Sequence, residues 1–226
     1  MYLILQYKGE EFNMQKPIKI AMQAHPNVTL KAIPGHFVTP NSHVNYFLDM
    51  TTLKSRLSEA SAVATALAEQ ITTTTIVDTI VCIDGCEIIG ALLAEELTKS
   101  GIYSMNAHKT IYIITPEFIS NGQILFRENM YPMIKGKNVL LLLASATTGQ
   151  TITKAVEAIR YYGGTVSGIS SIFSVANKVM GIPVNKLFTA ADLPDYKAYT
   201  PETCPLCKEG KKIDAFANGF GYSCTI

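Results

Sequence analysis

The most constraining feature of this chain is an apolar run that ends in a turn rich in threonine and glycine. Residues 139–151 read VLLLLASATTGQT, so a segment with the length of a buried strand passes straight into the start of a helix. At such a junction the amides of the first helical turn have no partner inside the helix, and the helix dipole adds partial positive charge. Threonine hydroxyls add further donors, so the junction predicts a phosphate-binding turn. The predicted turn comprises Ser145, Ala146, Thr147, Thr148, Gly149, Gln150 and Thr151. The alternative is a polar turn whose hydroxyls only cap the helix.

Apolar strands alternate with amphipathic helices on both sides of this turn. Residues 79–83, 110–114 and 165–173 are short, apolar and rich in β-branched side chains, which predicts strands. After Asp84 and after the turn itself, apolar residues recur at spacings of three and four, which predicts helices. The alternation favours a parallel sheet with helices on both faces, and such sheets bind ligands beyond the carboxyl ends of their strands.

The flanking regions give different signals. Residues 53–71 predict one helix, because their apolar side chains fall on a single helical face. That face comprises Leu53, Leu57, Ala60, Ala64, Leu67 and Ile71. After Pro183 the periodicity is lost and three more prolines follow, so we expect irregular structure that packs over the main domain.

The length and net charge of the chain limit the functions that it can have. A chain of 226 residues suffices for one domain with a substantial core. Nineteen basic residues against 18 acidic ones give a net charge of +1, which argues against nucleic acid and acidic membrane surfaces as partners. No apolar stretch has the length of a membrane span, and the first residues lack the pattern of a secretory signal, so we expect a soluble protein of the cytoplasm.

Five cysteines, an odd number spread along the chain, do not resemble the disulfide framework of a secreted protein. Cys204 and Cys207 have the spacing of half a zinc site, and Cys224 is a candidate third ligand. All four histidines lie within the first 108 residues, so we predict no metal site and expect His36 and His43 to be ordinary loop histidines. The cysteine pair is compatible with free thiols, a disulfide or a bound metal.

The phosphate-binding turn resembles the ribose-phosphate signature of type I phosphoribosyltransferases, in which an acidic pair and two small residues precede Thr-Thr-Gly-x-Thr. Residues 147–151 (TTGQT) match the end of that signature, but Leu143 and Ala144 stand where the family carries its two carboxylates. Those carboxylates hold the 2′ and 3′ hydroxyls of the ribose. A hydrogen bond to a charged group contributes about 1.5–3 kcal/mol, so their replacement removes roughly 3–6 kcal/mol of ribose binding.

Further segments resemble orotate phosphoribosyltransferase, in the order in which that branch of the family carries them. Residues 35–37 (GHF) and 45–49 (NYFLD) are similar to its hood, where aromatic side chains pack beside the base. Residues 84–90 (DGCEIIG) are similar to its diphosphate loop, and residues 199–208 (YTPETCPLCK) to its tail with paired cysteines.

The resemblance implies an α/β architecture of the type I phosphoribosyltransferase fold, with a parallel central sheet flanked by helices and a small hood. One domain would span residues 1–226, with the hood formed by residues 1–50 and 183–226 and the core by residues 51–182. The resemblance also implies Mg²⁺ bound together with phosphoribosyl diphosphate, and a homodimer.

The same resemblance supplies candidate binding residues. Diphosphate would lie against Asp84, Gly85, Cys86, Glu87 and Gly90, and the base against Phe37, Tyr46 and Phe47. The residues alone leave alternatives open. Glycines also permit tight turns and close packing, and Glu87 is equally suited to capping a helix. Buried aromatic residues usually belong to the core.

Two departures bear on catalysis. Thr39 occupies the hood position at which the family carries a basic residue. The family's mobile catalytic loop corresponds to residues 115–138, which contain no histidine. The remaining catalytic candidates are Lys109, just before this stretch, and Arg127 within it.

These observations lead to one functional expectation and one rival. We expect a protein similar to orotate phosphoribosyltransferase that binds phosphoribosyl diphosphate or a nucleoside 5′-monophosphate, and that transfers phosphoribosyl to a nucleobase if it is active. The rival is a non-catalytic regulator that keeps the fold and binds a nucleotide or a phosphorylated metabolite.

Overall fold

The computed structural model describes residues 15–99, 105–107, 109–119 and 122–225. In chain order its strands are β1 Ile18–Ala21, β2 Thr29–Val38, β3 His43–Asp49, β4 Thr79–Cys82, β5 Tyr112–Ile114, β6 Glu117–Phe118, β7 Ile124–Leu125, β8 Asn138–Ala146, β9 Thr165–Ser174, β10 Lys178–Val179, β11 Ile182–Phe188, β12 Ala198–Tyr199, β13 Ala215–Asn218 and β14 Gly221–Cys224. Its helices are α1 Thr51–Ser55, α2 Leu57–Ala68, α3 Glu87–Lys99, α4 Gln150–Tyr161 and α5 Pro205–Lys208, and two short 3-10 helices span Glu128–Met133 and Ala190–Asp192.

The central sheet has the order β10-β11-β9-β8-β4-β5. All pairs from β11 to β5 are parallel, and only the edge strand β10 runs antiparallel. The expected parallel sheet flanked by helices is therefore confirmed. Strand β8 lies at its centre, where both faces are covered, which explains why its sequence is almost continuously apolar.

Alternation along β8 divides the core into two layers. Leu140, Leu142 and Ala144 belong to the core shared with α2, α3 and the second sheet, whereas Leu141 and Leu143 pack with α4 on the opposite face. Helix α4 presents the apolar face that the sequence predicts, with Ile152, Ala155, Val156 and Ile159 buried. Burying each of the larger side chains stabilises the fold by about 1.5–3 kcal/mol.

A second sheet joins the beginning of the described chain to its end. Its order is β12-β3-β2-β13-β14, and β1 pairs with β2 on the side. Strand β13 runs parallel to β2, while β12 and β3 are antiparallel, so segments far apart in sequence become neighbours. This sheet packs on the face of the central sheet that carries α2 and α3.

Two expectations about secondary structure were wrong. The helix predicted for residues 53–71 is broken at Arg56, whose extended backbone separates α1 from α2. Leu57, the first residue of α2, lies outside the buried face of that helix and is 70% exposed. Irregular structure was expected after Pro183, but β11 continues to Phe188 and pairs with β9 inside the central sheet, and the later strands β12, β13 and β14 belong to the second sheet.

Within the described residues, none of the helices combines the length and the apolarity that crossing a lipid bilayer requires.

The crossing of α3 over β4 generates a stability prediction. A Cβ atom added at Gly90 would overlap the Sγ atom of Cys82, and both residues are buried. Gly90→Ala should therefore lower the free energy of unfolding by about 1–3 kcal/mol, as overpacking does elsewhere. Cys82→Ala vacates the space that the new methyl group needs. The double variant should thus be more stable than the sum of the single effects implies, as measured by urea unfolding. Simple additivity would contradict this packing account.

Candidate functional site

A cavity of about 450 Å³ lies beyond the carboxyl ends of β4 and β8, and its volume is typical of small-molecule sites. The central-sheet side contributes Ile83, Asp84, Gly85, Glu87, Ala144, Ser145, Thr147, Thr151 and Lys154. The opposite wall comes from the second sheet, from α1 and from the tail, and includes Thr39, Asn41, Val44, Tyr46, Phe47, Lys54, Ala217, Asn218, Gly219 and Phe220. The cavity therefore lies between the two sheets, at the edge where the parallel strands end.

The turn after β8 presents part of the predicted phosphate site to this cavity. Ser145, Thr147 and Thr151 line its wall. No hydrogen bond within the described part of the chain engages the amides of Thr147, Thr148 or Gly149. Because α4 starts at this point, its dipole adds partial positive charge to these free donors. The arrangement can receive an anion from the cavity.

The remaining residues of the turn have other positions. Ala146 is buried and pairs with Ser174 in the sheet, while Thr148 and Gln150 are exposed and lie outside the cavity wall. Gly149 precedes α4 with a φ of 76°, and a Cβ atom there would lie 3.3 Å from Val179. Its left-handed backbone and the contact with Val179 both favour glycine.

Leu143 and Ala144 point to opposite faces of β8. Ala144 lines the cavity, whereas Leu143 is fully buried against the layer that contains α4. Together with Ile83, Ala144 makes this part of the wall apolar. A ribose bound here would meet hydrocarbon where the family pattern has carboxylates.

The loop after β4 has a constrained backbone. Asp84 and Gly85 have φ angles of 61° and 74°, and both line the cavity with Glu87. Cys86 is fully buried and burial raises the pKa of its thiol, so the thiol remains protonated. Gly90 lies inside α3 against Cys82. Of the five predicted diphosphate residues, three therefore face the cavity and two are packed away from it.

Lys54 is a site residue that sequence reasoning missed. Its Nζ atom donates hydrogen bonds to the carbonyl oxygen of Asp84 at 2.7 Å and to that of Gly219 at 2.5 Å. It thereby connects α1, the β4 loop and the tail hairpin. No local motif marks this lysine, because both acceptors are distant in sequence and become neighbours only when the two sheets pack together.

The carboxyl group of Asp84 lies in a crowded environment. Its atoms pack so closely on Gly219 that a Cβ atom at that position would overlap them. Burial raises the pKa of Asp84, Lys54 opposes the rise, and the nearby charge of Glu87 adds to it. Glu87 in turn accepts a hydrogen bond from Thr115 at 2.9 Å.

Of the three residues predicted to contact the nucleobase, two line the cavity and one lies in the core. Tyr46 and Phe47 line the cavity, while Phe37 lies fully buried behind them. Phe47 packs edge-on against Tyr222 of the tail, with ring centroids 4.9 Å apart, and Phe37 contacts both rings. The aromatic wall is thus supported from behind by the tail.

Neither catalytic candidate lies on the cavity wall. Arg127 pairs with Glu117 through two hydrogen bonds, of 2.9 and 2.6 Å, on the protein surface. Lys109 interacts with Asp78, which precedes β4, and so lies at the opposite end of the sheet from the cavity. The lysines on the wall are instead Lys54 and Lys154.

Comparisons with known proteins agree with this architecture. No protein-family model matches the chain. The orotate phosphoribosyltransferase of Chlorobaculum parvum is 26% identical over 184 residues, covering 81% of this chain and 87% of that protein. The crystal structure of orotate phosphoribosyltransferase from Aeropyrum pernix gives a TM-score of 0.52 at 20% identity, covering 72% of this chain and 90% of that chain. Adenine phosphoribosyltransferase from Rhodothermus marinus gives 0.51 at 15% identity, covering 74% and 97%.

The chain therefore has the type I phosphoribosyltransferase fold, and its sequence is similar to orotate phosphoribosyltransferases. Because an adenine enzyme shares the fold equally well, the fold does not select a base.

The environment of Asp84 generates a pH prediction. A carboxyl group whose pKa is raised by folding contributes stability below its unfolded pKa and loses it as pH rises through the folded pKa. The variant Asp84→Asn carries an amide that cannot ionise, and asparagine tolerates a positive φ. The free energy of unfolding of this variant minus that of wild type should be larger at pH 7 than at about pH 4, as measured by urea unfolding. Glu157→Gln, at an exposed position of α4, is the control. A pH-independent difference would contradict the prediction.

Proposed function

We propose that this chain, with its type I phosphoribosyltransferase fold, binds a 5′-phosphoribosyl compound in the cavity between its sheets. The observation that carries the proposal is the set of amides at Thr147, Thr148 and Gly149, which have no partner in the described structure and lie at the start of α4, where Thr147 lines the cavity. The 5′-phosphate would accept hydrogen bonds from these amides and from the hydroxyls of Thr147 and Thr151. Lys154, three residues after Thr151 on the same helix, supplies a cation on the wall.

The rest of the ligand would extend across the cavity. A diphosphate at C1 of the ribose would lie near Asp84, Gly85 and Glu87, where Lys54 offers positive charge. A base would lie against Tyr46 and Phe47 beneath the second sheet, which would act as the hood. The leading function is therefore that of an orotate phosphoribosyltransferase-like protein. In turnover, a ring nitrogen of the base bonds to C1 of the ribose while the bond from C1 to the diphosphate oxygen breaks.

The chain itself offers few ligands for Mg²⁺. Magnesium prefers oxygen ligands, and Leu143 and Ala144 supply none. Within the described residues, no group of three acidic side chains converges on the cavity wall. Any magnesium that accompanies phosphoribosyl diphosphate would thus be held mainly by the diphosphate oxygens and by water.

A second function, that of a non-catalytic regulator, is favoured by three observations. The ribose wall is apolar at Ala144, and Arg127 and Lys109 lie away from the cavity. The proposed phosphate-binding turn would thus lie in a cavity that lacks the groups expected to hold the reacting sugar. A regulator of this kind would bind a nucleotide or phosphorylated metabolite without turnover.

Calorimetric titration and an assay of diphosphate release distinguish these functions. The protein is titrated with phosphoribosyl diphosphate, with orotidine, uridine and adenosine 5′-monophosphates, and with ribose, each with and without Mg²⁺. Diphosphate release is then measured with orotate and other bases. Binding with release supports the transferase, and binding without release supports the regulator. Failure of every phosphorylated compound to bind would contradict the proposed phosphate site.

Two variants test the position of the phosphate. Thr151→Glu places a carboxylate at the start of α4, where it favours the helix but repels an anion. Two like charges about 4 Å apart at an effective dielectric constant of about 20 repel by roughly 4 kcal/mol, so affinity should fall at least about 100-fold. Thr165→Glu, at an exposed position at the far end of β9, is the matched control and should bind normally. Equal affinities in the two variants would place the phosphate elsewhere.

The apolar wall generates a further prediction. Ala144→Asp restores one carboxylate where the residue faces the cavity, so it should raise affinity for phosphoribosyl diphosphate roughly 10-fold through a hydrogen bond from a ribose hydroxyl. Leu143→Asp should instead destabilise the fold, because Leu143 is buried against apolar neighbours of the α4 layer. Calorimetry and urea unfolding measure the two effects. An unchanged or weaker affinity in the first variant would indicate a pocket built for a ligand without free ribose hydroxyls.

The resemblance carries two expectations beyond the cavity, which we include in the proposal. The first is assembly as a homodimer, for which light scattering after size-exclusion chromatography is the direct measurement. The second is a cytoplasmic location, for which fractionation of the source cells is the corresponding experiment.

A further inference from the structure

Four side chains with metal-ligating atoms converge outside the cavity. His36 comes from β2 and His43 from the start of β3, whereas Cys204 precedes α5 and Cys207 lies within it in the tail. Their ligand atoms all lie within 4.8 Å of one another. Among the described residues, this is the one group of its kind. The fold brings its two halves together from opposite ends of the chain, since Cys204 follows His36 by 168 positions.

Four of the six distances between these atoms are close to those of a tetrahedral centre. His36 Nε2 lies 3.2 Å from His43 Nδ1, 3.6 Å from Cys204 Sγ and 3.5 Å from Cys207 Sγ. The Sγ atom of Cys207 also lies 3.2 Å from His43 Nδ1. A tetrahedral zinc ion with Zn–N of about 2.0–2.1 Å and Zn–S of about 2.3 Å separates its ligand atoms by roughly 3.3–3.8 Å. These four separations, of 3.2–3.6 Å, lie close to that range, and all six separations are within 4.8 Å, so small shifts of the side chains suffice to place a metal ion between them.

The orientation of His36 supports this assignment independently. Its second ring nitrogen, Nδ1, lies 3.0 Å from the carbonyl oxygen of Lys211 and can only donate to it. The proton is thereby placed on Nδ1, which leaves the lone pair of Nε2 directed at the cluster. Zinc-binding histidines are held in this way by a carbonyl or carboxylate acceptor.

The two cysteines are held by the backbone around α5. Cys204 is fully buried, and its carbonyl oxygen accepts a hydrogen bond from the amide of Lys208. The amide of Gly210, whose φ is 69°, donates to the carbonyl oxygen of Cys207. The tail therefore turns back directly after the second cysteine, and Lys211 follows in position to accept from His36.

We propose that His36, His43, Cys204 and Cys207 form a structural zinc site that fastens the tail to the first hairpin of the second sheet. Two sulfur and two nitrogen ligands in a tetrahedron are typical of zinc. Four protein ligands close the coordination sphere, so the site is structural rather than catalytic. Binding converts both thiols to thiolates and releases their protons to solvent. The expectation from sequence of no metal, with His36 and His43 as loop histidines, is replaced by this assignment.

The site has a consequence for the cavity, although it does not depend on the proposed function. Residues 37–42 connect the two histidines, and Thr39 and Asn41 of this segment line the cavity wall. The tail returns from α5 to β13 and the hairpin that carries Gly219. Zinc would therefore hold in place two parts of the wall opposite the central sheet, namely residues 37–42 and the tail hairpin.

The metal content of the whole chain tests the proposal. Protein is expressed with zinc in the medium, purified with a reductant and without chelator, and analysed by inductively coupled plasma mass spectrometry. Wild type should contain about one zinc per chain. Cys207→Ser, which changes the ligand at the surface, should lose most of it. Cys224→Ser is the matched control outside the cluster and should retain the metal.

Two further measurements on the wild-type protein test the proposal even if a variant fails to fold. Co²⁺ bound to the wild type should give the visible absorption of a tetrahedral cobalt thiolate, and a strong chelator should lower the melting temperature of wild type. Wild-type protein without metal after zinc supplementation would overturn the proposal. So would an intact mass that reveals a disulfide between Cys204 and Cys207 under reducing conditions, or equal metal content in the two serine variants.

Discussion

The parallel pairing of β4 with β8 is the constraint on which the candidate site depends. Cys82 stands opposite Leu142, so the two strands end at the same edge of the sheet. The loop that follows β4 and the turn that follows β8 then face one cavity, although they are distant in sequence. Neither loop would form a site alone. The loop after β4 supplies charged side chains and the turn after β8 supplies free amides, and the sheet places both on the wall of one cavity.

Much of the central sheet could be predicted because its signals are local. The apolar run of β8, the spacing in α3 and α4, and the turn at residues 147–149 each reflect burial or backbone geometry over a few residues. The break at Arg56 could not be predicted, because residues 53–71 contain neither glycine nor proline and no other local signal marks it. Lys54 was missed because its two acceptors lie in segments that are distant from it in sequence.

In the second sheet, segments that are far apart in sequence become neighbours in space. His36 and His43 are far from the paired cysteines along the chain, and that separation was the reason for predicting no metal site. In the folded chain, the parallel pairing of β13 with β2 and the antiparallel pairing of β12 with β3 bring the tail beside the first hairpin. A ligand set divided between distant segments carries no spacing signal, whereas a set within one segment does.

The order in which the strands of the two sheets are synthesised also bears on how the protein folds during translation. Every strand of the central sheet has been synthesised once Phe188 is added, whereas β12, β13 and β14 follow. The central sheet and strands β1–β3 can therefore form before the last three strands exist, so the surface that the β13–β14 hairpin later covers is open during translation. Until the last hairpin docks, the newly made chain exposes apolar surface there, and this is the stage at which chaperone binding would protect it.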